Sequence, residues 1–252
     1  SGYDQTRADF DFDRGSNASA TRIGSDGLIK KYRENLLLQS NQFDTTWTSI
    51  NTAETSGFEG YDGTNDAWKI DLTAAGGRTQ QANTASGVHT LSVYAKAGTL
   101  NWVRIITNSA STQDMYFDLA NGVKGTSTYG GQIDATITSV GNGWYRCTLT
   151  DDKTLYNVRI YPVQGNGDLT ATSGNILIQS AQLESGLVAT DYLDSTSVTG
   201  KAGVLVDLPR INYDANGENG SLLLEPSRQN LFSFSEYITG FSTSNTGVSI
   251  EE

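Results

Sequence analysis

Acidic residues cluster at two places in the sequence where paired carboxylates could do chemistry. One place is Asp151-Asp152, and the other is the alternating set Asp9, Asp11 and Asp13. Hydrolysis of a glycosidic bond needs two carboxyl groups about 5 to 9 Å apart on either side of the sugar. Both clusters stand at expected loop or edge positions, where charged side chains are usually solvated. We therefore interpret them as surface charges and not as a catalytic pair.

The single histidine, His89, is the other residue that could transfer a proton. It lies in the run VHTLSVYAKA, where it shares a face with Leu91 and Val93. A general base needs a positioned partner and a cleft, whereas this pattern predicts a packed histidine. The sequence also lacks a Gly-x-Ser-x-Gly elbow, a zinc-binding histidine pair and a phosphate-binding glycine loop. We expect a protein that is not an enzyme.

Aromatic rings and planar polar groups alternate with apolar residues in three expected strands. Such a combination suits a sugar, because rings cover its apolar faces and planar groups bond its hydroxyls. If the strands lie side by side, these groups form one patch. The candidate carbohydrate-binding residues are Tyr94, Trp102, Arg104, Asn157, Arg159 and Tyr161. The alternative is that Trp102 and Tyr161 pack under loops or line a subunit contact.

Short β-branched and aromatic runs are the elements that must position these groups. The chain of 252 residues has 27 glycines and 3 prolines, and long helix-forming blocks are missing. Turn signals such as Asn121-Gly122 separate the runs. The expected strands are 35–40, 66–72, 88–97, 101–107, 114–119, 132–140, 143–150, 154–163 and 175–184. This pattern predicts an all-β protein.

Period-two alternation within these runs indicates strands with one dry face and one wet face. In one run, Met115 and Phe117 alternate with Asp114 and Tyr116. Many short strands of this kind, in one region of the chain, fit two packed antiparallel sheets. We expect an antiparallel jelly-roll β-sandwich with irregular flanking segments.

A short motif occurs twice, near the two ends of the chain. Arg33-Glu34-Asn35-Leu36, followed by Ser40, recurs as Arg228-Gln229-Asn230-Leu231, followed by Ser235. Repeats at a fixed period argue for an array of modules along a longer polypeptide, and the alternative is a chance match. The expected division is an N-terminal extension at 1–33, the sandwich at 34–195, a connector at 196–228 and the start of a second, truncated module at 229–252.

The charge of the chain argues against two classes of partner. With 28 acidic and 17 basic residues, its net charge is −11. A duplex-binding protein needs clustered lysine and arginine, and an anionic membrane surface is disfavoured for the same reason. No apolar run is long enough to span a bilayer. The single cysteine, Cys147, can form no intrachain disulfide and is expected to be a small buried residue. We expect neither a nucleic-acid partner nor membrane insertion.

Five segments of the sequence, in this order, resemble one family of proteins. They are FDFDRGSNASATRIGSDGLIKKY, ENLLLQSNQFDTTWT, GNGWYRCTLT, ILIQSAQLESGLVATDYL and LPRINYDANGENGSLLLEPSRQNL. The family is the tail-fibre and virion-surface proteins of tailed bacteriophages, especially marine ones. The resemblance implies a virion-surface or extracellular location. It also implies homo-oligomers or neighbouring virion proteins as partners.

Within that layout, residues 35–184 resemble the jelly-roll carbohydrate-binding modules that accompany polysaccharide-degrading enzymes. Those modules begin with Asn-Leu and a Phe-acid pair, here Phe43-Asp44, and many carry a structural calcium. The closing strand here has Gln179 and Gln182 where an aspartate is common, and calcium wants several oxygens with negative charge among them. We therefore expect no cofactor, with a structural calcium at Asp44 as the alternative.

The expected function is non-catalytic. It is a virion-surface or tail-fibre module that binds cell-surface or extracellular polysaccharide for attachment to the host. One alternative is a purely structural, oligomerising fibre or appendage module, whose exposed strand edges join neighbours. The other is an accessory carbohydrate-binding domain of a polysaccharide-degrading enzyme.

Overall fold

The computed structural model describes residues 21–23, 29–31, 33–202, 210–212 and 221–223. Within these ranges the chain forms strands, turns and loops and no helix. The described residues therefore contain no helix that could cross a membrane. The strands are β1 (Thr21–Ile23), β2 (Ile29–Lys31), β3 (Arg33–Asn35), β4 (Thr48–Ile50), β5 (Thr52–Phe58), β6 (Ala67–Leu72), β7 (Arg78–Ala82), β8 (Val88–Ala97), β9 (Trp102–Ser109), β10 (Gln113–Asp118), β11 (Val123–Lys124), β12 (Asp134–Gly141), β13 (Trp144–Asp152), β14 (Leu155–Val163), β15 (Asn175–Ser185), β16 (Gly200–Ala202), β17 (Arg210–Asn212) and β18 (Ser221–Leu223).

Two six-stranded antiparallel sheets form the body of the protein. We call the sheet with the order β11-β10-β9-β14-β7-β4 the front sheet. The back sheet has the order β12-β13-β8-β15-β6-β5. The late strands insert among early ones, so that β14 lies between β9 and β7 while β15 lies between β8 and β6. This strand order is that of a jelly roll, and the prediction of an antiparallel jelly-roll sandwich is confirmed.

The core lies between the sheets and takes one face of each strand. Leu91 and Val93 of β8 are fully buried, and Met115 and Phe117 of β10 are at most 3% exposed. Each such side chain stabilises the fold by roughly 1.5–3 kcal/mol. Cys147 is a free, fully buried thiol, as expected, and burial raises its pKa. The period-two alternation therefore identified the core-facing side of these strands. The expectation that the other side of β10 is wet is wrong, because all six residues of this strand are buried.

The segment 35–40 is not the strand that its apolar pattern predicts. β3 ends at Asn35, and Gln39 has a φ of 47°, outside the β region. The segment instead bends around a β-bulge in β15, where the backbone N–H of Ala181 donates to the carbonyl of Ser40 at 2.9 Å. A bulged residue has lost its partner in the neighbouring strand. The segment after Asn35 supplies that partner through the carbonyl of Ser40. It therefore follows the bulge and does not continue β3 as a strand.

Four strands of the two sheets, β4, β5, β7 and β11, were absent from the sequence-based expectations. β4 and β5 are the outer strands of the two sheets, where polar side chains remain in contact with water. β7 buries only Thr79 and Gln81, which are polar themselves. A search for alternating apolar residues cannot detect strands of this composition.

The chain enters and leaves the sandwich at one place. β3 pairs with β16, with Arg33 opposite Ala202 and Asn35 opposite Gly200. We call this two-stranded sheet the clasp. The first residues of the expected connector, 196–202, therefore return to the start of the sandwich.

The flanking segments contain two short hairpins. β1 pairs with β2, and β17 pairs with β18, so the N-terminal extension is not irregular throughout. The expected edge strand at 9–13 and the expected second module at 229–252 lie outside the described residues.

Candidate functional site

The outer face of the front sheet carries a row of alternating aromatic rings and guanidinium groups. Strand pairing sets Arg104 of β9 between Tyr116 of β10 and Tyr161 of β14. The Arg104 guanidinium carbon lies 5.0 Å from the Tyr116 ring centre and 5.5 Å from the Tyr161 ring centre. Arg78 of β7 extends the row at 5.6 Å from Tyr161, and Tyr129 lies 5.7 Å from Arg104. Each contact is of the cation–π kind.

This row and its neighbours form one surface, which we call the front face. It consists of the outward side chains Arg78, Gln80, Trp102, Arg104, Tyr116, Asn157, Arg159 and Tyr161.

A buried ion pair fixes the middle of the front face. Arg104 and Asp114 are 4% and 0% exposed. Nε and Nη2 of Arg104 donate to Oδ2 of Asp114 at 2.7 and 2.6 Å. The other carboxylate oxygen accepts from Oγ of Ser127 at 2.8 Å and from the backbone N–H groups of Thr128 and Tyr129 at 2.8 and 3.2 Å. The pair therefore orders the loop that places Tyr129 against Arg104.

These contacts keep Asp114 ionised. Burial alone would raise the pKa of its carboxyl group, because a buried charge is poorly solvated. The hydrogen bond from Ser127 and the positive charge of Arg104 outweigh burial, and the pKa of Asp114 lies below its usual value.

The part of the front face that Arg78, Gln80, Asn157 and Arg159 form on β7 and β14 is partly open to solvent. Nε of Arg159 donates to Oδ1 of Asn157 at 2.7 Å, and Nε of Arg78 donates to Oε1 of Gln80 at 3.0 Å. Arg159 stands directly opposite Gln80 in the pairing of the two strands. All four side chains are half-buried. They present planar hydrogen-bonding groups to a ligand.

Trp102 closes the front face at its other end. Its half-buried side chain packs against the cluster that contains Tyr116 and Tyr161. Gly125 approaches the indole so closely that a Cβ atom there would lie 2.8 Å from the ring. Any other residue at 125 would therefore displace the indole.

Five of the six candidate residues lie together on the front face, and Tyr94 does not. The five are on β9 and β14, which are neighbours in the front sheet. Tyr94 is on β8 in the back sheet, where the Tyr61 ring stacks on it at 3.7 Å with an interplanar angle of 4°. The expectation that Tyr94 shares the patch is wrong, because consecutive strands β8 and β9 enter different sheets.

Burial divides the five residues into a floor and a contact surface. Arg104 and Tyr161 are only 4% and 6% exposed, so they form the floor. Trp102, Asn157 and Arg159 are half-buried and can touch a ligand. The alternative of a packed residue is therefore correct for Tyr161, whereas Trp102 keeps an accessible part.

His89 and Asp151 both face the interior of the sandwich. His89 is 1% exposed, its Nδ1 lies 2.7 Å from the Gly87 carbonyl oxygen, and burial lowers its pKa. The prediction of a packed histidine is confirmed. Asp151 is fully buried and accepts a hydrogen bond from Oγ1 of Thr107 at 3.0 Å. The interpretation of Asp151 as a surface charge is therefore wrong, because β13 runs through it and turns its side chain inward, whereas Asp152 is exposed.

A side-chain amide lies at the centre of an acidic turn beside β15. Nε2 of Gln179 is 3.2 Å from Oδ1 of Asp62, 3.3 Å from Oγ1 of Thr64 and 2.5 Å from Oδ1 of Asp66. Burial would raise the pKa of Asp62, but hydrogen bonds from Thr64 and Gln179 outweigh it and lower the pKa. The calcium candidate Asp44 is exposed. No group of three or more His, Cys, Asp or Glu side chains in the described part of the chain is arranged to hold a metal ion.

Exchanging this amide for a carboxylate, Gln179→Glu, is expected to destabilise the fold by roughly 1–3 kcal/mol, because three carboxylates then meet without the amide donor. Calcium favours such oxygen ligands, so added CaCl2 is expected to raise the Tm of the variant and leave that of the parent unchanged. Thermal unfolding followed by circular dichroism, with and without CaCl2, measures both effects. An equal calcium shift in parent and variant would contradict this expectation.

Besides Asp114, sequence reasoning missed four residues that build the front face or cover it. Tyr116 was assigned to the outer side of its strand, but the alternation of residues does not show that this strand pairs with the one that carries Arg104. Arg78 and Gln80 are on the polar strand β7, and Tyr129 is in a loop. The turn at Gly76-Gly77 was the one signal that a strand could start at Arg78.

No family model matches this chain, and no curated protein matches it. The enzymatically active domain of tailspike protein 4 of bacteriophage CBA120 is similar with a TM-score of 0.33 and 16% identity, over 59% of this chain and 21% of that chain. Endo-1,4-β-D-xylanase 10B of Clostridium thermocellum, complexed with xylohexaose, is similar with a TM-score of 0.34 and 13% identity, over 64% of this chain and 29% of that chain. A mutant family 29 carbohydrate-binding module complexed with cellulohexaose has a TM-score of 0.32 and 10% identity, over 61% of this chain and 89% of that chain. The chain thus spans less than a third of the length of the first two.

Proposed function

We propose that this chain is a non-catalytic carbohydrate-binding module of a virion-surface protein and that its front face holds a polysaccharide of the host surface. One observation supports the proposal most. The accessible side chains Trp102, Arg159 and Asn157 lie in that order along one outer face of two neighbouring strands, and the fixed floor of Arg104 and Tyr161 lies between Trp102 and Arg159. A ring and planar polar groups on one sheet face suit an extended sugar chain.

The floor makes binding favourable without large rearrangement. Arg104 is held by Asp114 and by contacts with three tyrosine rings, so little side-chain freedom is lost when a ligand binds. The indole of Trp102 would cover an apolar sugar face. The amides of Asn157 and Gln80 would bond hydroxyl groups, since each amide both donates and accepts.

The virion context is supported by the resemblance of five segments to tail-fibre and virion-surface proteins. Attachment to the host, an extracellular location, and assembly with copies of the chain or with neighbouring virion proteins extend the proposal in the same direction. A purely structural module and an accessory domain of a polysaccharide-degrading enzyme are the alternatives.

Trp102→Ala is expected to weaken the retention of the 252-residue chain in a polysaccharide-containing affinity gel by about tenfold or more, because truncation removes the ring that covers a sugar face. The matched control is Phe58→Ala, another half-buried aromatic residue, on the back sheet. It is expected to be retained like the parent. Thermal unfolding of both variants shows whether they fold. Unchanged retention of folded Trp102→Ala, or a parent retained by no polysaccharide of a broad panel, would contradict the proposal.

A further inference from the structure

Two guanidinium groups on the open part of the front face have only neutral hydrogen-bond partners. Nε of Arg78 donates to the amide of Gln80, and Nε of Arg159 donates to the amide of Asn157. Neither arginine takes part in a salt bridge within the continuous described range, 33–202. Their Nη donors are therefore available to a ligand.

The acidic groups near the front face already have partners. Asp114 is saturated by Arg104 and by the loop that carries Tyr129. Asp118 accepts from the backbone of the turn that follows it, and Asp168 accepts from Thr170. Neutral donors leave the charges of Asp118 and Asp168 in place, but neither residue is on β7 or β14. These two strands contain Arg78 and Arg159 and no acidic residue, so the open part of the front face carries positive charge, although the whole chain has a net charge of −11.

We propose that the ligand of the front face is an acidic polysaccharide, whose carboxylate or sulfate groups are bound by Arg78 and Arg159. This inference rests on the proposed function of the face. A guanidinium fork pairs with a carboxylate through two parallel hydrogen bonds and suits other planar or multi-oxygen anions in the same way. A neutral polysaccharide would bind with a smaller gain in free energy, because it offers no countercharge to the guanidinium groups of these two half-buried arginines.

The positions of the two arginines fit one extended chain. Arg159 stands opposite Gln80 on β7, and Arg78 is two residues from Gln80 on that strand. Such diagonal neighbours have Cα atoms about 7–8 Å apart. Two charged groups of one polysaccharide chain can therefore be bound together, while Trp102 and Asn157 contact the sugar rings around them.

Single-stranded nucleic acid also combines anionic groups with rings that stack. The acidic polysaccharide is favoured because binding along a phosphate backbone relies on several clustered cations, whereas the open part of the front face has two, Arg78 and Arg159. Nucleic acid is therefore one outcome of the test.

The experiment compares pairs of related polysaccharides, of which one is acidic and the other neutral. The full chain is run in affinity gels that contain polygalacturonate or its methyl ester, and carrageenan or agarose, near 0.15 M salt, where charges more than about 8 Å apart are screened. Polyuridylate and a panel of neutral polysaccharides complete the set. The variants are Arg78→Gln, Arg159→Gln and the double variant. Lys96→Gln, on the back sheet, is the control for loss of one positive charge.

The expected result is retention by at least one acidic member and not by its neutral counterpart. Each arginine variant is expected to weaken retention about tenfold, as loss of a charge-assisted hydrogen bond does, and Lys96→Gln is expected to leave it unchanged. Equal retention by acidic and neutral members would overturn this inference and leave the proposed function intact. Equal losses in Lys96→Gln and the arginine variants would overturn this inference alone. Retention by polyuridylate in preference to every polysaccharide would overturn this inference and the proposed function. Retention by no polysaccharide at all would overturn both proposals.

Discussion

Asp114→Ala is expected to lower the free energy of unfolding by about 3–5 kcal/mol, because it leaves the buried guanidinium of Arg104 without its countercharge. The same change removes the acceptor that holds Ser127, Thr128 and Tyr129. Urea unfolding followed by tryptophan fluorescence measures the loss. The matched control is Asp71→Ala, which breaks the half-exposed pair with Lys69 and one hydrogen bond from Nδ2 of Asn175 at 2.9 Å, and it is expected to cost about 1–2 kcal/mol.

A double-mutant cycle distinguishes the lost pairing from the lost volume. Arg104→Met alone leaves the carboxylate of Asp114 buried without a countercharge, whereas Arg104→Met combined with Asp114→Leu removes both charges. Replacing a buried pair by apolar residues is often nearly neutral, so the double variant is expected to be more stable than either single variant. Losses that simply add would show that the two residues are not coupled.

The pH dependence of stability follows from the lowered pKa of Asp114. As pH falls below 3.8, the usual value of the carboxyl group, the unfolded chain binds the proton first. The contribution of Asp114 is therefore complete above that pH and is lost progressively as pH falls through the lower folded-state pKa. Asp114→Asn is expected to show a flatter acid limb than the parent in urea unfolding. Parallel acid limbs would contradict this role, since Asp62 and the other acidic groups are the same in both proteins.

Asn35→Ala is expected to cost roughly 3–5 kcal/mol, because four backbone groups, three of them in buried hydrogen bonds, lose their partner at once. Nδ2 of Asn35 donates to the carbonyls of Ala181 and Leu193 at 3.1 and 2.9 Å. Oδ1 accepts from the N–H groups of Leu37 and Leu183 at 3.2 and 3.1 Å. The side chain thus joins the opening segment to the bulge in β15. Thermal and urea unfolding measure the effect.

Two further variants test the role of the Asn35 amide. Asn35→Asp keeps the shape but sets an acceptor against two carbonyl oxygens, so a loss of similar size is expected. Asn121→Ala removes one amide that bonds Asp118 on the surface and is expected to cost under about 1 kcal/mol. If Asn35→Ala cost no more than Asn121→Ala, water would be replacing the amide and the linking role would be wrong.

Much of the fold could be predicted because the core strands alternate with a period of two. Leu91 with Val93, and Met115 with Phe117, marked their dry faces without any knowledge of their neighbours. The outer strands β4 and β5 could not be found in this way, because strands at the edges of a sheet need no apolar side. The segment after Asn35 reads as a strand by composition, but its contacts with a bulge about 145 residues away decide its shape.

The candidate site was predicted in part for a similar reason. Alternation separates inward from outward residues, so Trp102, Arg104 and Arg159 were correctly placed on an outer face. It does not say which strands become neighbours. A jelly roll sends β8 and β9 to opposite sheets, which removed Tyr94 from the face, and brings β7 beside β14, which added Arg78. Asp114 was missed because its role depends on a loop that follows it.

The clasp decides how the module responds to tension along the chain. Arg33 and Ala202 are the outer pair of its ladder, and Asn35 and Gly200 are the inner pair. Force applied between the chain before Arg33 and the chain after Ala202 is therefore expected to break these hydrogen bonds one after another. The twelve strands of the two sheets would bear no force until the clasp has opened. Asn35 is the next residue to bear the force. The chain is thus expected to lengthen slightly under tension before the front face is disturbed.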